Sequence, residues 1–181
     1  MSRLSMLTPD MLNSRQLELY ELLTTNQGAV TLQNPDGSLV GPFNLMLHEP
    51  RLGSAMQKLG GIILYRGSLP ARAREIAILC VAAHQQSAFE RSAHEEIGRG
   101  VGLTDDEMSA IAARAPLTLT NPVEACVLSV SRALLHDGDL DDAAYADAVE
   151  VLGEAGMVEL SAVIGYYSLV ALQLRLFRVP G

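Results

Sequence analysis

The chain has 181 residues, of which 49% are hydrophobic but only 4% aromatic, and it carries a formal net charge of −8. An acidic chain repels phosphate backbones and anionic lipid headgroups, which argues against nucleic-acid binding and against docking on a membrane. The length and the positive mean hydropathy of +0.20 fit a single domain, residues 1–181, with some apolar surface covered by other subunits.

The cysteine pattern argues against a disulfide-built or zinc-binding domain. Cys80 and Cys126 lie inside apolar runs, and neither belongs to a Cys-x-x-Cys pair. His84 follows Cys80 at a spacing that suits a metal, but no third or fourth ligand stands nearby, so we predict no metal site. The N-terminus has no apolar signal segment, and the uncharged apolar stretch 160–174 is too short for a membrane span. We therefore expect a soluble, cytoplasmic protein.

The first 66 residues contain helix signals on both sides of a turn-rich segment. Thr8-Pro9-Asp10 predicts the start of a helix that ends near Thr25. An Asn-Pro-Asp-Gly turn and Gly41-Pro42 predict a long loop or a small hairpin over residues 26–41. Residues 1–40 are thus expected to form a helix plus a variable loop. A short helical turn follows, and Pro50 begins a helix to about Arg66.

The central segment contains the most hydrophobic helix. Ser68 is predicted to cap the helix LPARAREIAILCVAAH, which is apolar nearly all round over 76–83 and should therefore lie at the centre of the fold. The next helix is expected from about Ser87 to Gly100. Thr104 and Glu107 form a capping box that begins another helix.

The last third reads as three further helices. Asn121-Pro122 begins a helix to about His136, and a helix over 141–152 follows an Asp-Gly-Asp turn. Gly156 is expected to precede the final helix, 157–177, with 179–181 as its stop. The sequence therefore predicts an all-α protein of about eight helices without a convincing strand.

Three residues near the centre of the chain are candidates for acid–base chemistry. Glu90 and His94 stand four residues apart, so they share a helix face and the carboxylate can orient the imidazole; a solvated i,i+4 pair is the alternative. Glu75 is a charged residue that opens the most hydrophobic helix. It is either a desolvated catalytic group or a carboxylate favoured by the helix N-terminus. The sequence leaves both alternatives open.

The segment from 69 to 111, LPARAREIAILCVAAHQQSAFERSAHEEIGRGVGLTDDEMSAI, resembles the carboxymuconolactone decarboxylase family, which includes AhpD-like alkylhydroperoxidases. The matching features are Arg74-Glu75 at the start of the central helix, Phe89-Glu90, His94 four residues on, and Gly102-Leu103. GPFNLMLHEP at 41–50 and GYYSLVALQLRLFRVP at 165–180 extend the resemblance to residues 41–180. It implies the all-helical AhpD-like fold.

Departures from the family pattern favour the decarboxylase branch. The resemblance places Ser87 and Glu90 where the peroxidase branch has its Cys-x-x-Cys. Without a vicinal thiol pair, no dithiol is available to reduce a peroxide and close to a disulfide. A glutamate at the second position resembles the decarboxylase branch, although that branch usually has a tyrosine before the glutamate and this chain has Phe89.

The resemblance implies a cofactor-free lyase or isomerase, of the kind found in aromatic compound catabolism, that acts on a small carboxylated or lactone-like molecule. It implies His94 as the general acid, Glu75 as a tuning or relay group, and Glu90 as the group that orients His94. Candidate substrate-binding residues are Arg72, Arg91, Ser87 and Phe89. It also implies a homo-oligomer, a trimer or hexamer, with a dimer as the alternative. The alternative functions are an AhpD-like peroxidase activity, disfavoured by the missing thiol pair, and a non-catalytic ligand-binding oligomer.

Overall fold

The computed structural model describes residues 2–25 and 32–179, which form eight α-helices and one short 3-10 helix. The helices are α1 (Ser14–Thr25), α2 (Pro42–Met46), α3 (Pro50–Tyr65), α4 (Ala71–Gln85), α5 (Ala88–Gly100), α6 (Asp105–Ala112), α7 (Pro122–His136) and α8 (Asp142–Phe177). Among the described residues, the β pairing consists of one isolated bridge between Gln33 and Leu39. The predicted all-α class is therefore confirmed. Residues 26–31 of the predicted loop, and residues 180 and 181 of the predicted stop, lie outside the described residues.

The chain divides into two compact units, one formed by residues 1–62 and 172–181 and the other by residues 63–171. The single domain expected for residues 1–181 stays a prediction. All the candidate site residues of the sequence lie in the second unit.

In the first unit, the predicted helix start at Thr8 is wrong. The Thr8 hydroxyl donates to Asp10 at 2.6 Å, and residues Pro9–Met11 form only a 3-10 turn. The α-helix begins at Ser14, after Asn13, because Asn13 Oδ1 accepts from the backbone N–H groups of Arg15 and Gln16 at 3.1 Å. An asparagine that satisfies two free helix donors is the better cap.

In the second unit, α4 is the central element, as its sequence predicts. It packs against α5, α6 and α7, and its residues 75–82 are buried without a break. A helix that is apolar all round has no face to offer to water, so it lies inside the surrounding helices. Glu75 is as buried as its apolar neighbours, so it places a carboxyl group inside the core.

The predicted cap of α4 is wrong, whereas the predicted caps of α6 and α7 are confirmed. Pro70 is the N-cap of α4, and the Ser68 hydroxyl donates instead to Glu159 Oε2 at 2.7 Å. Glu159 also accepts from the backbone N–H groups of Ser68 and Leu69, so a carboxylate from α8 orders the segment before α4. Thr104 forms the predicted capping box at α6, and the Asn121 side chain caps α7.

Helix α8 is interrupted at Gly153, directly after the expected helix over 141–152, but the helix resumes before Gly156 and not at 157 as expected. Gly153 has φ 69° and ψ 164°, a backbone conformation almost confined to glycine. Gly156 keeps helical backbone geometry inside α8. The break falls at Gly153 because a residue without Cβ can enter that region, and both glycines were equally good candidates by residue type.

One described helix, α8, is long and apolar enough to cross a membrane by length and composition alone, and 39% of its most apolar window is buried within the structure. A single helix of this kind is weak evidence for a span, because core helices of soluble proteins have the same character.

Candidate functional site

Glu75 of α4 and His94 of α5 form a buried hydrogen-bonded pair. Glu75 Oε2 lies 2.7 Å from His94 Nδ1. The Glu75 residue is 0% exposed and His94 is 7% exposed, so neither is part of a wet helix face. The carboxylate therefore fixes the orientation of the imidazole, with Nδ1 engaged and Nε2 left for chemistry. The solvated alternative for Glu90 and His94 is wrong, because both residues are buried.

Two tyrosines of α8 complete the surroundings of His94. The ring of Tyr167 meets the imidazole edge-to-face, with centroids 4.9 Å apart, and Tyr166 meets Tyr167 in the same manner at 5.3 Å. Burial, followed by the charges of neighbouring groups that include Glu75, raises the pKa of Tyr167 well above its ordinary value. Burial and the nearby Glu90 raise the pKa of Tyr166 to about 12. Both phenols are thus neutral at physiological pH and add no charge to the site.

Glu90 is buried one helical turn before His94, but it does not orient His94 as expected. The residue is 2% exposed, and neither of its carboxyl oxygens has a hydrogen-bond partner among the described residues. Burial raises the pKa of Glu90 to about 8, and the neighbouring Ser87 side chain opposes this only in part. The orienting role belongs to Glu75, because the Nδ1 atom of His94 points across to α4 and not along its own helix.

Arg72 does not suit the substrate-binding role expected of it. Its guanidinium is bound by Glu107 Oε1 at 2.6 Å and by Glu124, and its Nε donates to the Gly102 carbonyl at 3.2 Å. These three acceptors use the planar fork of donors that would hold a substrate carboxylate. Arg72 therefore joins the starts of α4, α6 and α7.

Ser87 and Arg91 line a cavity of about 620 Å³ at the beginning of α5, and neither Glu75 nor His94 is among its lining residues. Arg91 is exposed and its Nε donates to Glu95 at 2.6 Å. Glu90 and His94 stand four residues apart and share one face of α5, and Ser87 is the N-cap residue three positions before Glu90. About 10 Å of helix axis separates Ser87 from His94, with Glu90 between them. Phe89 is half-buried, and its predicted substrate contact stays a prediction.

Neither cysteine has the environment of a reactive thiol. Burial raises the pKa of the Cys80 thiol to about 12, although Arg132 nearby acts against it, and burial also raises the pKa of Cys126. Both are free. Because the thiolate is the nucleophile, these thiols are poorly suited to attack a peroxide. Within the described residues, no three His, Cys, Asp or Glu side chains cluster in a way that could hold a metal ion.

Three neighbours of the site were missed by reasoning on the sequence: Tyr166, Tyr167 and Arg74. The Nε atom of Arg74 is buried without a partner among the described residues, and its positive charge acts on Tyr167. The sequence could have indicated the two tyrosines, because they are the only aromatic residues in the apolar stretch 160–174. Arg74 precedes Glu75 directly and gave no separate signal.

The fold and the family follow from comparisons with known proteins. The chain superposes on a crystal structure of the alkylhydroperoxidase AhpD core, an uncharacterized peroxidase-related protein from Ralstonia eutropha JMP134. The TM-score is 0.76 over 99% of this chain and 91% of that one, at 14% sequence identity, so the likeness shows an AhpD-like all-α fold. No curated protein matches the sequence. The model of the carboxymuconolactone decarboxylase family matches residues 50–142, which include Glu75, Glu90 and His94. The chain therefore belongs to the carboxymuconolactone decarboxylase family.

Proposed function

We propose that the protein is a cofactor-free lyase or isomerase that transfers a proton to or from a small carboxylated or lactone-like substrate. The observation that carries this proposal is the buried pair of Glu75 and His94, with 2.7 Å between Oε2 and Nδ1. A histidine held by a carboxylate on one ring nitrogen presents a defined donor or acceptor on the other. This is the arrangement that general acid–base chemistry requires.

A decarboxylation at this site needs no added oxidant or reductant. The bond between the substrate carbon and its carboxylate breaks, CO₂ leaves, and the electron pair moves through a conjugated carbonyl to form a dienolate. His94, as the imidazolium, donates its Nε2 proton to the substrate carbon, and the imidazole then regains a proton from solvent. Glu75 stabilises the imidazolium and keeps Nε2 directed at the substrate.

Glu90 has a separate role in this proposal. A carboxyl group with a pKa of about 8 is mostly neutral at pH 7, so it is a proton donor and not a counter-charge. It lies on the same face of α5 as His94, one helical turn before it. We assign Glu90 the task of supplying protons beside His94.

A substrate panel tests the proposal. The full chain is incubated with unsaturated carboxylated lactones and β-keto acids, and CO₂ release and product formation are followed. We expect turnover of at least one compound, reduced by about 10²–10⁴-fold in His94→Gln, the usual size of a general acid contribution. His136→Gln is the matched control, since His136 is exposed and, among the described residues, its ion pair is with Asp137. No turnover by the natural chain would favour a ligand-binding protein instead, and equal turnover by His94→Gln would overturn the role of His94.

A thiol peroxidase is the alternative within the same fold. The observation against it is the pair of buried free cysteines with raised pKa values. Peroxide consumption that disappears in Cys80→Ser or Cys126→Ser would establish the alternative. We expect no thiol-dependent peroxide consumption, and full activity on the substrate panel in both variants.

We also propose a cytoplasmic location and assembly into a trimer or hexamer.

A further inference from the structure

The cavity of about 620 Å³ at the beginning of α5 has an unusual lining. Five of its nine lining residues are alanines, and the other four are Gln86, Ser87, Arg91 and Arg114. It lies where α4 ends, α5 begins and α6 ends. The small alanine side chains leave room for a bound ligand, while the polar residues supply hydrogen-bond donors. None of the lining residues is acidic, in a chain whose net charge is −8.

Two of the polar lining residues adopt strained backbone conformations. Gln86 ends α4 with φ 54°, and Arg114 follows α6 with φ 53°. This left-handed region costs an ordinary residue roughly 1–2 kcal/mol, and helices usually end there on glycine. At both positions a long polar side chain is kept where glycine would relieve the strain. Strained residues of this kind concentrate at functional sites.

Arg114 is held in place and still has free donors. Its Nη2 donates to the carbonyl oxygens of Ala83 and His84, at 3.0 and 3.3 Å. These carbonyls belong to the last turn of α4, where their negative dipole end would otherwise repel an anion. Among the described residues, the hydrogen bonds of Arg114 use Nη2 alone, so Nε and Nη1 remain for a ligand. Arg91 likewise uses only Nε, on Glu95.

We infer that this cavity binds an organic carboxylate, whose oxygens are held by Arg114 and Arg91 and whose carbon skeleton rests on the alanines. Ser87 and Gln86 supply further hydrogen bonds. Arginine forks match the geometry of a carboxylate. Arg114 has no acidic partner among the described residues, and Arg91 keeps both Nη atoms free beside its ion pair with Glu95. The inference rests on the proposed function in one respect, namely that the bound carboxylate belongs to the substrate of the His94–Glu75 pair.

Binding can be measured without turnover, with adipate as the probe and the neutral adipamide as its uncharged counterpart. Isothermal titration of the full chain should show adipate binding, and adipamide at least tenfold weaker. Arg114→Gln should weaken adipate binding by tenfold or more, Arg91→Gln by several-fold, and Arg114→Lys by less than Arg114→Gln. The control is Arg99→Gln, because Arg99 lies on the same helix and contacts Glu95 and Asp105 outside the cavity.

Equal binding of adipate and adipamide, no binding of adipate, or unchanged affinity in both Arg91→Gln and Arg114→Gln would overturn the inference. Arg91 is exposed, so its substitution tests the site even where loss of Arg114 disturbs the end of α4. His94→Gln separates this inference from the proposed function. It should bind adipate as the natural chain does while turnover is lost. Turnover absent from the natural chain with binding intact would refute the proposed function only.

Discussion

At the scale of single residues, the structure changes the partner of His94. The spacing of Glu90 and His94 in the sequence suggested a pair within one helix, but the hydrogen bond joins His94 to Glu75, nineteen residues earlier. The sequence was sufficient to single out all three residues. It was not sufficient to pair them, because a contact between two helices depends on how α4 and α5 pack, and spacing within one helix does not encode that packing.

Replacing Glu75 tests the orienting role. Glu75→Gln keeps the size of the side chain and removes its charge, so Nδ1 loses the group that stabilises the imidazolium. We expect kcat to fall by roughly 10²-fold, with a much smaller change in KM, since the interaction matters most when the charge develops. Glu96→Gln, a change at an exposed position of α5, is the control. An unchanged kcat in Glu75→Gln would contradict the proposed pair.

Glu90 predicts a pH dependence of stability. In the folded chain its carboxyl stays protonated up to about pH 8, whereas in the unfolded chain it ionises near 4.5. Between these values the folded state binds the extra proton, so its stability falls as pH rises and levels off above about pH 8. One pKa unit corresponds to about 1.4 kcal/mol, so the effect is on the order of a few kcal/mol.

Glu90→Gln should remove the loss of stability that accompanies rising pH. Urea unfolding at pH 5 and at pH 8 should show a smaller difference in the free energy of unfolding for the variant than for the natural chain. Glu107→Gln serves as the contrast, because the Glu107 pKa is lowered: burial alone would raise it, but hydrogen bonds from Thr104 and Arg72 outweigh the burial. An identical pH dependence in Glu90→Gln and the natural chain would show that Glu90 is ionised when folded.

At the scale of elements, short sequence motifs predicted the structural features that depend on neighbouring residues. The caps at Thr104 and Asn121 are as expected because each involves residues within three positions of one another. Ser68 was misassigned because Glu159, ninety-one residues away, accepts its hydroxyl hydrogen bond. The helix over 141–152 ends as expected, because Gly153 follows it directly, but the final helix resumes before Gly156 and not after it.

Two glycines of α8 give opposite predictions. Gly153→Ala should destabilise the protein by roughly 1–3 kcal/mol, because alanine does not tolerate φ 69° with ψ 164°. Gly165→Ala should raise stability by about 0.5–1 kcal/mol, since this position is helical and an added Cβ meets nothing within 4 Å. Thermal unfolding of the two variants measures both effects. Stabilisation by Gly153→Ala would mean that α8 is continuous.

At the scale of the whole molecule, the composition predicted assembly, and exposed apolar side chains support it. Tyr65 is 83% exposed and Val158 69% exposed on the surface of residues 63–171. Light scattering should give a mass of three or six times 19.4 kDa. Val158→Asp should weaken the assembly by placing a charge in an apolar contact. A natural chain that stays a monomer at micromolar concentration would contradict this proposal.

The central claim is that His94 delivers a proton to the substrate carbon. The most direct test is turnover in D₂O of a compound that the chain converts, with the product analysed by NMR. We predict one deuterium at the carbon that lost CO₂, in a single stereochemical configuration, with this product formed at least a hundredfold more slowly by His94→Gln. Product of mixed configuration from the natural chain, or an equal rate from His94→Gln, would show that the proton comes from solvent and not from His94.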